Sequence, residues 1–384
     1  MKHFVRAVSY ILVAAIASCA TLFVMHYSMP QEPYSKIEEL KSLIDAVFID
    51  EADMEAAEDA AAAAMVYALG DRWSYYMTKQ EYQEYVETMA NSYVGIGVTI
   101  LQYEDSTVEV KKVEPGGPAE EAGIQPGDIF KAVAGQDIAG MDIDSVKALV
   151  VGDEGTSVQI QLLRGDELLE LTVERRKINS IVAKEQMLEN NIGLVTIVNF
   201  DSRCAEETLA AIEQLVSEGA KALIFDVRFN PGGYKDELTE ILNHLLPEGP
   251  IFRSVDYLGE EKVDMSDANC LELPMAVLIN GDTYSAAEFF AAALHEYEVA
   301  ILVGEPTTGK GHFQSAFKLS DGSAVNLSVG KYCTPNGVSL TDVGLSPDVP
   351  VEVDDETYLN IYYGYLQPEE DPQITAAVEA LLNR

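Results

Sequence analysis

Between residues 192 and 303 the chain alternates short apolar runs with helix-length segments, and this alternation constrains the fold more than any other feature. Ile192 to Val198, Ala222 to Val227, Met275 to Ile279 and Ala300 to Val303 read as strands. Helices over about Ala205 to Glu218, Leu238 to Leu246 and Ser285 to Tyr297 fit between them. Such βαβ alternation predicts a buried, mainly parallel sheet with its site on the loops at the strand ends. No internal repeat is present.

Upstream, the pattern changes twice. From Tyr93 onward, β-branched runs at Val94 to Leu101, Val108 to Val113, Ile129 to Val133, Val158 to Leu163 and Leu168 to Val173 predict strands. The turn clusters Pro115-Gly116-Gly117 and Gln125-Pro126-Gly127-Asp128 separate them, and short helices fit Pro118 to Ala122 and Asp144 to Val151. Together these make one small domain. Before it, Pro30 to Ser92 reads as helical and acidic. Ser35 and Glu38 form a capping-box start, Ile37, Leu40, Leu43, Ile44 and Val47 repeat at helical spacing, and Gly70 closes a second helix.

Lys2, His3 and Arg6 precede an apolar stretch from Ala7 to Met29. Its length matches the roughly 20 residues a membrane-spanning helix needs, and the leading positive charges predict a cytoplasmic tip with the rest of the chain outside. A cleaved signal peptide is the competing reading, and Ile16-Ala17-Ser18-Cys19 also resembles a lipoprotein cleavage box. The apolar run continues past it through Leu22 to Met25, which favours an uncleaved anchor. The expected division is therefore a tip and transmembrane anchor over 1–29, a helical region over 30–92, a small domain over 93–178, and the α/β core with a C-terminal extension over 179–384.

Charge and cysteine content exclude other classes. Against 25 basic side chains stand 64 acidic ones, a formal net charge of -39, and such a surface repels phosphate backbones, so no nucleic-acid partner is expected. Cys19, Cys204, Cys270 and Cys333 contain no CxxC pair, so neither a zinc site nor a disulfide framework is indicated. Cys204, Cys270 and Cys333 read as small core residues. No metal or other cofactor is expected.

Three segments can carry chemistry. In Gly281-Asp282-Thr283-Tyr284-Ser285-Ala286-Ala287-Glu288 an apolar strand ends just before a helix that opens at Ser285. A serine there faces unpaired N–H groups and the positive end of the helix dipole, so it either caps the helix or acts as a nucleophile. In Gly304-Glu305-Pro306-Thr307-Thr308-Gly309-Lys310-Gly311 one lysine stands among glycines and small residues. It is either a surface lysine or a base whose proton affinity burial has lowered. A phosphate loop is rejected, because Gly311 stands where Ser or Thr would hold a metal. In Asp226-Val227-Arg228-Phe229-Asn230-Pro231-Gly232-Gly233 the glycines make either a tight turn or one half of an oxyanion hole, with the Ala286 amide as the other half.

Taken together, these segments resemble the C-terminal processing peptidases, a family of serine endopeptidases. Gln314, four residues beyond Lys310, Thr334-Pro335-Asn336-Gly337, Gly344 to Val349 and Leu69 to Tyr76 extend the resemblance over residues 36 to 384. It implies an α/β protease core with a ClpP/crotonase-like sheet, preceded by a small PDZ domain. It also implies peptide-bond hydrolysis by a Ser285–Lys310 dyad, with Gln314 supporting the lysine and Gly232, Gly233 and Ala286 forming the oxyanion hole. In the PDZ domain, Gly95-Ile96-Gly97-Val98 forms a turn whose amides can capture a peptide's terminal carboxylate. The peptide would add along Val98 to Ile100, its last side chain against Val146, Leu149 and Val150. Two departures stand out: Glu296 where relatives often have aspartate, and Val151 where many have an arginine before the glycine matching Gly152.

The expected partners are protein or peptide substrates with exposed C-termini, the cell membrane through residues 7–29, and a second copy of the chain as a homo-oligomer. None of the histidines, including His295 and His312, sits in a Ser-His-Asp motif, and HExxH is absent. The alternative from a different class is a catalytically inactive, membrane-tethered PDZ scaffold. Ser285, Lys310 and Gln314 together argue against it, because a scaffold has no need of that trio.

Overall fold

The computed structural model describes residues 36–103 and 105–384, so the anchor over 7–29, Cys19 and Ser35 lie outside the described residues. Among the described residues no helix is long and apolar enough to cross a membrane. The chain divides into two compact units, one up to Met65 and one from Val66 onward. The first contains helix α1 (Lys36–Val47) and most of α2 (Met54–Tyr67), joined by the exposed Lys41–Glu58 ion pair. Gly70, at φ 71°, follows α2 where a left-handed residue ends a helix.

The second unit opens with a departure from the all-helical expectation for 30–92. Tyr75–Met77 forms strand β1, followed by helix α3 (Lys79–Met89), which Thr78 and Glu81 open with reciprocal hydrogen bonds. Strand β2 (Ser92–Gly95) then leads into the small domain. Its sheet is built from β3 (Val98–Gln102), β4 (Val108–Val113), β5 (Ile129–Val133), the short β6 (Gln136–Asp137), β7 (Ser157–Arg164) and β8 (Glu167–Glu174), in the order β3-β4-β5-β7-β8. Helices α4 (Pro118–Glu121) and α5 (Ile143–Val150) close its core around Ile96, Val110, Phe130, Val146, Ile160 and Leu162. The predicted run Val94 to Leu101 is thus broken at Ile96-Gly97, and the break leaves β3 as an edge strand.

Strand β9 (Arg176–Asn179) pairs with β2, so the chain enters and leaves the small domain through one two-stranded ribbon. Arg203 fastens this junction to the core. Its guanidinium donates to the carbonyls of Ala90, Asn91 and Ser180, while Asn91 and Asn199 exchange side-chain hydrogen bonds.

The core sheet takes the order β10-β11-β12-β15-β16-β19 from β10 (Ala183–Met187), β11 (Ile192–Ile197), β12 (Ala222–Asp226), β15 (Met275–Ile279), β16 (Ala300–Gly304) and β19 (Val349–Pro350). Between β11 and β12 lies α6 (Cys204–Ser217), and after β12 comes α7 (Lys235–Leu245). Two strands the sequence pattern did not reveal follow, β13 (Gly249–Asp256) and β14 (Glu261–Ser266). Then come β15 (Met275–Ile279), α8 (Ala286–Glu296) and β16 (Ala300–Gly304). Strands β17 (His312–Lys318) and β18 (Ala324–Cys333) join β13, β14 and β1 in a second, antiparallel sheet. The chain ends with β19 (Val349–Pro350), α9 (Asp355–Tyr362) and α10 (Pro372–Leu382).

Strands β11, β12, β15, β16 and β19 run parallel, and β10 is antiparallel at one edge. One sheet face carries Val195, Phe225, Val277 and Leu302 against α6, α7 and α8. The other carries Leu194, Ile224, Ala276, Leu278 and Val303 against Ile374, Ala377 and Leu381 of α10. Helices on both faces explain why the strands read as unbroken apolar runs. Cys204 is a core residue, as expected; Cys270 and Cys333 are instead partly exposed, and all three are free thiols.

Candidate active site

Parallel strands present their C-terminal ends on one side of a sheet, and three loops meet there: 227–234 after β12, 280–285 after β15, and 305–311 after β16. Ser285 sits on a tight strand-to-helix turn at φ 58° and ψ −126°, a left-handed conformation that costs a non-glycine residue about 1–3 kcal/mol. The turn is held from both ends. Thr283 donates its hydroxyl to the Val227 carbonyl at 2.9 Å, and Tyr284 N–H donates to the Asn230 carbonyl at 3.1 Å.

Glu288 joins the serine turn to the lysine loop. Its carboxylate is fully buried and accepts from the Ser285 N–H at 3.0 Å, the Gly309 N–H at 2.8 Å, the Lys310 N–H at 2.8 Å and the Thr307 hydroxyl at 2.5 Å. Four donors converging on one carboxylate compensate the cost of burying it. In the sequence Glu288 stood out only as a landmark beside the serine.

Burial drives the Lys310 ammonium down to about 8; the Glu288 and Asp71 carboxylates oppose the shift and Arg72 adds to it. A lysine so placed is neutral in an appreciable fraction near neutral pH, as a general base must be. Its amine lies 4.5 Å from the centre of the Trp73 ring and 5.4 Å from that of Tyr284. Among the described residues no hydrogen bond joins it to Ser285. Nor does Gln314 reach it. The Gln314 amide donates to the His312 carbonyl at 3.1 Å and to the Ser328 hydroxyl at 3.0 Å, beside a β-bulge between Phe313 and Gln314.

The glycine turn touches the serine directly. A side chain on Gly232, at φ 92°, would lie 2.7 Å from the Ser285 Cβ and 2.9 Å from the Ala286 nitrogen, so only glycine fits. The Gly232 amide itself donates to the Asn230 side chain at 2.9 Å. Neither the Gly233 nor the Ala286 amide makes a hydrogen bond among the described residues. Beside them a narrow cleft with about 10 Å³ of free interior is lined by Leu238, Phe252, Phe289, Tyr332 and the Lys235 stem.

Two side chains considered in the sequence fall elsewhere. His295 pairs with Asp348 at 3.0 Å, away from Ser285. Glu296 accepts the Asn336 N–H at 2.8 Å and so ties the end of α8 to the Thr334–Gly337 turn.

In the small domain, Ile96 is buried and the Ile96 and Gly97 carbonyls accept from Ala119 and Glu114, which fixes the turn. The Ile96 and Gly97 amides make no hydrogen bond among the described residues. Val98 begins the open edge of β3, and Gly95 ends β2. Val146 and Val150 are buried in α5, with Leu149 packed beside them. Val151 is exposed, and it is Arg175 that caps α5, donating to the carbonyls of Val150 at 2.6 Å and Leu149 at 3.2 Å.

Comparison with known proteins bears on the family and on the small domain. Residues 191–351 match Peptidase family S41, and residues 109–164 match a PDZ domain. The carboxy-terminal processing protease CtpA of Bacillus subtilis is 33% identical over 359 residues, covering 90% of this chain and 76% of the relative. A probable CtpA-like serine protease of Staphylococcus haemolyticus is 29% identical, covering 89% and 70%. Among solved structures, a putative S41 protease from Bacteroides fragilis shares the fold at a TM-score of 0.52 and 20% identity, covering 76% of this chain and 83% of its own. The photosystem II D1 C-terminal processing protease aligns at a TM-score of 0.49 and 27% identity, covering 82% and 86%.

Proposed function

This chain belongs to the carboxy-terminal processing proteases of peptidase family S41, which are serine-type peptidases, and from that premise we propose that it cleaves peptide bonds with Ser285 as nucleophile and Lys310 as general base. The observation that carries the reading is Glu288, whose carboxylate ties the backbone of both residues together. The neutral Lys310 amine takes the hydroxyl proton as Ser285 Oγ attacks the scissile carbonyl. The resulting oxyanion is met by the Gly233 and Ala286 amides, since Gly232 donates to Asn230. The Lys310 ammonium then protonates the leaving amine, and water hydrolyses the acyl-enzyme with Lys310 again as base.

The PDZ domain takes up a substrate's C-terminal residues along the open edge of β3, with the carboxylate on the Ile96 and Gly97 amides. Residues 7–29 anchor the enzyme in the cell membrane, with its catalytic part outside the cytoplasm. Ser285→Ala and Lys310→Ala should each remove hydrolysis of a quenched peptide while leaving the circular dichroism spectrum unchanged. Full activity in Lys310→Ala would sink the dyad. Mass analysis of the native membrane-extracted protein checks the anchor: loss of residues 7–29, or a lipid on Cys19, rules it out.

A further inference from the structure

Trp73 lies outside the segment matched by the peptidase family, yet its ring lies against the proposed base. The Lys310 amine is 4.5 Å from the centre of the Trp73 ring and 5.4 Å from that of Tyr284, and the two rings stand 5.8 Å apart. The turn before β1 holds the indole in place. The Asp71 carboxylate accepts the Trp73 N–H at 3.2 Å and the Ser74 hydroxyl at 2.6 Å, and the Ser74 oxygen accepts the Ser328 N–H at 3.0 Å. Gln314 reaches this same network through the Ser328 hydroxyl, so it braces the turn under Trp73.

An indole face attracts an ammonium ion through its quadrupole and has no comparable hold on a neutral amine. It also excludes water, which disfavours the charged form. The two effects oppose each other, and side chains that keep one and remove the other can separate them.

We propose that Trp73 is a positioning residue for the general base: with Tyr284 it forms an aromatic seat that holds the Lys310 ammonium ion between turnovers, and loss of a proton to solvent frees the amine to reach Ser285. The inference rests on Lys310 being the base. The other groups facing the amine are Glu288 on α8 and Asp71 and Arg72 on the turn, with His312 acting on Asp71; the Arg72 guanidinium also lies 4.4 Å from the centre of the Trp73 ring, so the Trp73 series is read against the same series in an Arg72→Ala background.

The test is the pH dependence of kcat/KM for the full chain in detergent, with Trp73→Phe, Trp73→Leu and Trp73→Ala. Leu keeps the seat dry without a π face, so the acid limb should move to lower pH by about half a unit to one unit. Phe, with a weaker face than indole, should move it the same way by less. Ala admits water and should move it upward. In a Ser285→Ala background, NMR titration of the Lys310 amine after ¹³C-methylation should show the same order without reference to turnover. A limb and a titration that stay in place for Phe and Leu overturn the seat, whatever happens to overall activity. If Leu does not fold, the Phe shift decides alone. Activity surviving in Lys310→Ala overturns the base assignment instead, and the two failures are thereby distinguished.

Discussion

At the scale of single residues, the site is organised around buried acids. Glu288 makes four short contacts to three backbone amides and a hydroxyl, and each charged hydrogen bond is worth about 1.5–3 kcal/mol. Glu288→Gln keeps the shape but turns an NH2 group towards donors. It should lower the unfolding midpoint and cut kcat at least tenfold with little change in KM, because the proposed dyad is displaced and not the substrate groove; thermal unfolding and steady-state kinetics check both. Asp201 is the opposite case. It is 5% exposed, its Oδ1 has no partner, and burial, with the Glu237 carboxylate adding to it, pushes its carboxyl up to about 7. A raised folded-state value means that stability is full at acid pH and falls as pH rises through 7. Asp201→Asn, which cannot ionise, should therefore raise the unfolding midpoint at pH 8 and change it less at pH 5. An equal effect at both pH values would contradict the assignment.

At the scale of elements, what could be read in the sequence was local. Strands buried on both faces show as short apolar runs with helix-length segments between them, and β11, β12, β15 and β16 lie within a residue of their predicted bounds. The antiparallel sheet did not show. Strands β13 and β14 mix Arg253, Asp256, Lys262 and Asp264 with apolar residues, and β1 finds its partner in β18 at the far end of the chain. Pairing across such a separation leaves no periodic trace. Ser285, Lys310 and the glycine turn were legible because each stands at a strand end with small neighbours; the swing of Gln314 onto Ser328 depends on a bulge that no spacing reveals. The C-terminal helices are equally non-local. Arg228, buried at the mouth of β12, is paired with Asp226 and, from α10's leading residues, with Asp371 and Gln373. Tyr358 and Tyr362 of α9 pack edge-on against Phe229 in the glycine turn. A chain ending at Val351 retains Ser285, Lys310 and Glu288, yet it should fail to give a cooperative unfolding transition, because one sheet face and a buried guanidinium lose their cover. Asp371→Ala removes one of two carboxylates from Arg228 and the cap that accepts from the Gln373 and Ile374 amides, and should cost about 1–3 kcal/mol by chemical denaturation.

At the scale of the whole molecule, the PDZ domain and the peptidase core are joined by the β2–β9 ribbon, so a peptide held on β3 is tethered to the core that carries Ser285. A tether raises local concentration without any new contact at the scissile bond. Binding to the domain should therefore lower KM for substrates with a free C-terminus and leave kcat largely unchanged. In the proposed mode of recognition the carboxylate is the discriminating group. The Ile96 and Gly97 amides can hold it, and amidation removes its charge and part of its accepting capacity. A peptide ending in a free valine should bind the intact Ser285→Ala protein about tenfold or more tighter than its amidated twin, a difference of about 1.4 kcal/mol. Affinity should remain modest, since a short strand contributes few contacts and must be ordered on binding. Gly97→Val offers an internal control: at φ 80° a β-branched residue distorts the turn, so the free peptide should fall to the affinity of the amidated one. Calorimetric titration of both peptides against both proteins gives four affinities. Only the free peptide on the unaltered turn should stand apart; equal affinity of the two peptides for that turn would remove carboxylate capture as the basis of recognition.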